Sequence, residues 1–97
     1  MKLTTEDLGY FANIDAAKLQ QVLADDAFGS FAILEVCEGT FLQAGQGEAW
    51  SLEYRETSAG PQYRARGEFT LAQVGGVFLR YLEGDETWRA ALSWDAL

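Results

Sequence analysis

Phe69–Trp94, FTLAQVGGVFLRYLEGDETWRAALSW, is the stretch on which the reading of the fold turns. Thr70 with Gln73 three residues on is a capping box, in which hydroxyl and amide satisfy backbone N–H groups left orphaned at a helix start. Phe69 before the cap and Val74 one turn inside pair as a hydrophobic staple. Leu71, Val74, Phe78, Tyr81 and Leu82 then recur at helical spacing, and Gly84 supplies a left-handed stop. Gly75 and Gly76 interrupt this helix, each at a cost of about 1 kcal/mol relative to Ala. Their presence predicts close approach of the helix backbone to a sheet or, as the alternative, ligand approach or a hinge. Beyond the stop, Ala90–Trp94 either forms a short edge strand or continues as helix from Trp88.

Upstream of this helix the pattern changes period. Residues 49–56 alternate, with Trp50, Leu52 and Tyr54 on one face and Ser51, Glu53 and Arg55 on the other. Residues 62–69 do the same, with Tyr63, Ala65 and Phe69 inward, and 57–61 is a loop by composition. Strict alternation predicts a half-buried antiparallel sheet. Placing Tyr54 opposite Tyr63 sets Glu53 against Arg64, an opposite-charge pair, and lets Trp50 cover the bare backbone of Gly67. Phe31–Cys37, FAILEVC, is a nearly continuous apolar run of strand length, returned through Glu38-Gly39 by Thr40–Ala44. Cys37 is read as a packed thiol, and Gly45-Gln46-Gly47 as a connection.

Towards the N-terminus, Asp15 N-caps a helix lined by Ala16, Leu19, Val22, Leu23 and Ala27 and closed by Gly29. Asp25 and Asp26 fall near its C-terminal end, where the helix dipole disfavours acids, and read as a solvated face or, as the alternative, an exposed functional edge. Leu8, Tyr10 and Ala12 alternate weakly, fitting at most a short edge strand interrupted by Gly9. The resulting order is α-β-β-β-β-α-β. It describes one two-layer α+β domain over 1–97, with an antiparallel sheet of four to five strands on two helices.

Composition bounds the function. Ninety-seven residues make a single core, and no apolar run approaches the roughly 20 residues needed to span a bilayer. The absence of histidine and the single cysteine remove the commonest general base, the triads built on it and any structural zinc site. One cysteine also fits a reducing compartment, and acids in the first residues do not fit a signal peptide, so a cytoplasmic protein is expected. The crowded acids Glu83, Asp85 and Glu86 lack the alternating oxygen ligands of a calcium loop. No enzymatic activity, metal or cofactor is expected. Fifteen acids against seven bases give a net charge of −8, which disfavours direct nucleic-acid binding and favours a basic partner.

A resemblance adds to this reading. Phe41-Leu42-Gln43-Ala44, Leu52-Glu53-Tyr54-Arg55 and Tyr63-Arg64-Ala65 are similar to segments of small bacterial proteins. The tail, from Leu71-Ala72-Gln73-Val74 through Phe78, Tyr81-Leu82, Gly84-Asp85, Trp88 and Trp94-Asp95, resembles the C-terminal signature of immunity proteins paired with deaminase-type and other polymorphic toxins. The likeness covers about 40–97 and implies a monomeric domain that binds a cognate toxin and occludes its active site. Immunity families vary their contact surfaces, so no binding site transfers. The residues themselves nominate the acidic turn Glu83, Asp85 and Glu86, the polar sheet face with Glu53 and Arg55, and Trp88 as an anchor or a core residue. Two other partner classes fit an acidic α/β chain: a secretion chaperone, expected to dimerise, and a nucleic-acid mimic with acids at phosphate-like spacing.

Overall fold

The computed structural model describes residues 1–97. In chain order it runs β1 (Lys2–Thr5), β2 (Tyr10–Phe11), α1 (Ala16–Val22), a 3-10 turn (Asp26–Phe28), β3 (Phe31–Cys37), β4 (Thr40–Gln46) and β5 (Trp50–Arg55). There follow β6 (Gln62–Ala65), α2 (Leu71–Glu83), α3 (Thr87–Ala90) and β7 (Trp94–Ala96). Every strand pairing is antiparallel, and the strands form one open sheet in the order β2-β1-β3-β4-β5-β6-β7. The expected sheet of four to five strands on two helices is therefore corrected to a β-rich, seven-stranded sheet with three helices.

Of the two added strands, β2 falls in the weakly alternating segment around Tyr10, and β1 comes from polar-looking sequence. In β1, KLTT, Leu3 and Thr5 are buried while Lys2 is exposed, so the alternation is real but Thr5 hides it. The Thr5 side chain is satisfied locally: its hydroxyl donates to the Gly9 carbonyl at 2.9 Å and accepts the Leu8 N–H at 3.0 Å. A buried hydroxyl with both roles filled costs little, which is why threonine is tolerated at a core position. Gly9, at φ 72°, makes the turn into β2.

All three helices contribute to one apolar layer against one face of the sheet. Leu3, Ala32, Leu34, Leu42, Ala44, Leu52 and Tyr54 meet Leu19, Val22, Val74, Phe78 and Trp88 in a single cluster. Each fully buried Leu or Phe contributes about 1.5–3 kcal/mol relative to exposure. The capping box forms, with the Thr70 hydroxyl accepting the Gln73 N–H at 3.2 Å and the Gln73 amide oxygen accepting the Thr70 N–H at 2.8 Å. Gly84 closes α2 at φ 78°, its N–H donating to the Tyr81 carbonyl. The buried stripe of α2 is Val74, Val77 and Phe78.

Several local expectations change. A Cβ on Gly75 would meet nothing closer than Leu23 Cβ at 4.0 Å, and one on Gly76 nothing closer than Arg80 Nη1 at 4.0 Å. Neither glycine is there for close approach to the sheet; both border the groove between α1 and α2. Asp15 caps α1 as expected, accepting the Lys18 N–H at 2.7 Å, but the helix stops at Val22. Asp25 takes the Ala27 N–H at 3.0 Å and starts a separate 3-10 turn, the familiar competition of a short acidic side chain with the helical ladder. A register shift between Glu35 and Cys37 leaves Val36 and Cys37 exposed, so the thiol is not packed.

Between β5 and β6, Glu53 lies opposite Arg64 and Tyr54 opposite Tyr63, as the alternation required. Trp50 instead pairs with Phe69, exchanging two N–H···O bonds of 3.1 Å, and does not cover Gly67. Gly67, at φ 102°, absorbs the two residues by which the pairing slips. The C-terminal ambiguity resolves into both alternatives in sequence. Helix α3 runs to Ala90, and the strand begins later, with Trp94 opposite Ala65.

Candidate functional site

The six nominated residues fall in three different places. Arg55, Glu86 and Trp88 line one cleft of about 460 Å³ where the end of β5 meets α2 and α3. Trp88 is only 3 % exposed and packs edge-on to Tyr54 at 5.2 Å and to Trp94 at 5.7 Å. Of the two readings the sequence left open for it, anchor or core residue, burial supports the core residue. Arg89, also in the cleft, sits over the rings of Tyr54 and Trp88 with its guanidinium carbon 5.6 Å from each centroid. It pairs with Glu56 and, at 3.1 Å, with Glu86.

The carboxylates of that cleft are engaged in ion pairs. Both hold Arg89, and burial pushes the Tyr81 phenol up to about 12, so it remains a protonated donor at neutral pH. Arg55 forms no ion pair, and its Nε is buried without a hydrogen-bond partner. The acidic turn beside the cleft is similarly engaged. Asp85 accepts the Thr87 hydroxyl at 2.7 Å and its N–H at 2.9 Å, which holds the carboxyl below its usual range. Only Glu83 of that turn projects without a partner, from the last residue of α2.

Glu53 belongs to the other face of the sheet, which no helix covers. Successive pairings place Tyr10, Thr4, Ile33, Gln43, Glu53, Arg64 and Asp95 in one row across all seven strands. A neighbouring row runs Lys2, Glu35, Phe41, Arg55, Gln62, with Lys2 and Glu35 paired at 3.1 Å. On the other side of the long row, Phe31, Gly45 and Ser51 lie abreast. Because Gly45 carries no side chain, the surface dips there. The depression, about 260 Å³, is bordered by Phe31, Ile33, Gln43 and Glu53. Glu53 receives the Gln62 amide at 2.6 Å and Arg64 at 3.9 Å, with its side chain 17 % exposed.

The remaining charge collects at one end of the sheet. Glu6 accepts the N–H and hydroxyl of Ser30, both at 2.9 Å, and these bonds hold its carboxyl below the usual range. The Asp7 N–H donates to Phe28, and the Gln46 N–H to Ser30. The Trp50–Phe69 bridge brings the connection after β6 to the same end. Glu6, Asp7, Asp25, Asp26, Glu48 and Glu68 therefore share that end; of the two bases beside them, Arg64 pairs with Glu53 and Arg66 is held by Asp95 in a bidentate pair at 2.8–3.0 Å.

Sequence reasoning passed over Phe31, Ile33 and Gly45. The signal was present: FAILEVC is apolar on both of its faces, whereas its neighbours in the sheet are apolar on one. A doubly apolar strand is read as covered on both sides, yet here one side is open. No three His, Cys, Asp or Glu side chains converge as metal ligands, and no helix is long and apolar enough to cross a membrane. No known protein family, curated protein or solved structure matches the chain.

Proposed function

We propose that the chain is a binding protein for a basic protein domain, and that it acts as an immunity protein: it covers the active-site surface of a cognate toxin and excludes the toxin's substrate. The observation that carries this reading is the arrangement of charge. Five ion pairs use five of the fifteen carboxylates and four of the seven bases, leaving ten acids and three bases unpaired. Six of the ten are gathered at, or on the loops leading to, one end of the sheet. A field of one sign accelerates encounter with a basic partner, while desolvated apolar contacts hold the complex once formed. The open sheet face, with Phe31, Ile33 and Phe41 among its charges, supplies such contacts.

The test is co-expression with the product of the adjacent gene. Cells producing both proteins are expected to grow where the neighbour alone is toxic. The isolated pair should associate more slowly as salt rises, with dissociation changing far less. Failure to rescue growth removes the immunity reading.

A further inference from the structure

The depression over Gly45 differs from the rest of the molecule's surface in one respect. It is an apolar-walled hollow with a single charge on its border, and that charge is negative. Gly45 sits inside β4 with ordinary backbone geometry, so its lack of a side chain answers to no turn. A Cβ placed there would meet only the Ser51 hydroxyl, at 3.5 Å. The core therefore does not require glycine. A bare strand position facing out of an uncovered sheet leaves room for another chain to approach closely. Phe31 and Ile33 form one wall, and the carboxylate of Glu53 stands across from them.

Glu53 retains capacity for a further donor. A carboxylate has about four acceptor sites, and this one holds one short bond from Gln62 and a long contact to the exposed Arg64. No base lines the hollow itself, and Arg64 reaches the Glu53 carboxylate only at 3.9 Å. We propose that this hollow seats a basic side chain, arginine by preference, from the protein partner: its methylene stem lies on Phe31 and Ile33 and its head meets Glu53. Arginine is favoured because its flat, weakly hydrated guanidinium packs on an aromatic ring and bonds a carboxylate in the same pose. The proposal rests on the binding role described above and locates the contact within it.

The probe is the peptide N-acetyl-Gly-Arg-Gly-amide, titrated at millimolar concentration while the backbone amides are followed by NMR. Its citrulline counterpart, equal in shape but uncharged, is the control. Shifts are expected to centre on residues 31–33, 43–45 and 51–53. The citrulline peptide and the E53Q variant should each bind about tenfold more weakly, the scale of one charge-assisted hydrogen bond. G45V should abolish the shifts with the remaining spectrum unchanged, and E53Q, which alters no volume, gives the same answer if G45V disturbs the fold. Three results would overturn the proposal: no shifts, equal shifts from both peptides, or shifts centred on the loops of Glu6, Asp7, Asp25 and Asp26. Such a result leaves rescue by co-expression standing, since the partner would then dock elsewhere. Seating of the peptide without rescue would instead keep the arginine site and remove the toxin.

Discussion

The two faces of the sheet are made from alternate residues of the same strands, yet they are built on different terms. On the covered face Leu34, Leu42 and Leu52 are fully buried beneath the helices, and Tyr54 joins Tyr63, Trp88 and Trp94 in an aromatic cluster. On the open face Phe31, Ile33 and Phe41 are left partly in water between Glu35, Glu53 and Arg64. The first face satisfies the fold. The second keeps apolar side chains that the fold does not use, and these are what the proposed contact would draw on.

Substitution separates the two most sharply at the aromatic residues. Trp88→Ala should cost about 3–5 kcal/mol in urea unfolding, the scale of removing a buried aromatic side chain. Phe31→Ala, already 36 % exposed, should cost only about 1 kcal/mol. Equal losses would show that the open face is part of the core after all. Next in size is the helix layer. Gly75→Ala and Gly76→Ala should each raise stability by up to about 1 kcal/mol, because the added methyl meets only an ordinary contact at 4.0 Å. A loss at either position would mean that α2 lies closer to its neighbours than described.

Smaller still is the pair on the open face. A double-mutant cycle on Glu53 and Arg64 should return less than about 1 kcal/mol, since Arg64 is more than half exposed and the contact is 3.9 Å. The smallest effect is the pH response of exposed carboxylates. Glu6 and Asp95 lie below their ordinary values of 4.5 and 3.8, the first through the Ser30 N–H and hydroxyl and the second through Arg66. A depressed folded-state value means that the unfolded chain binds protons first. Their contribution is thus complete above the ordinary values and is lost as pH falls through the folded ones. Melting temperature should therefore decline on acidification across that range, and Asp95→Asn should make the decline shallower.

How far the sequence could be read follows from how local each signal is. The Thr70–Gln73 box, the Asp15 cap, the Gly84 stop and the Glu53–Arg64 register are all decided by residues a few positions apart or by strict alternation, and all four form. What escaped depended on distant partners or on irregular backbone. Strand β1 carries its alternation on Leu3 and a buried threonine, and it is a strand because β3 pairs with it. Trp50 opposes Phe69 because Gly67 adopts a left-handed turn that alternation cannot anticipate. A register shift before Cys37 likewise reversed its exposure. For the candidate site, Glu53 was legible as a wet-face residue of β5. The apolar wall beside it was not, because a run apolar on both faces does not say which face stays open.

The division between the faces is tested most directly by hydroxyl-radical footprinting of the chain alone and in complex with the product of the adjacent gene. Side-chain oxidation at Tyr10, Phe31, Ile33 and Phe41 should fall on complex formation, while Leu71, Tyr81 and Leu82 on the helix side stay unchanged. Protection confined to the helix side, with Phe31 and Ile33 oxidised as before, would contradict the account.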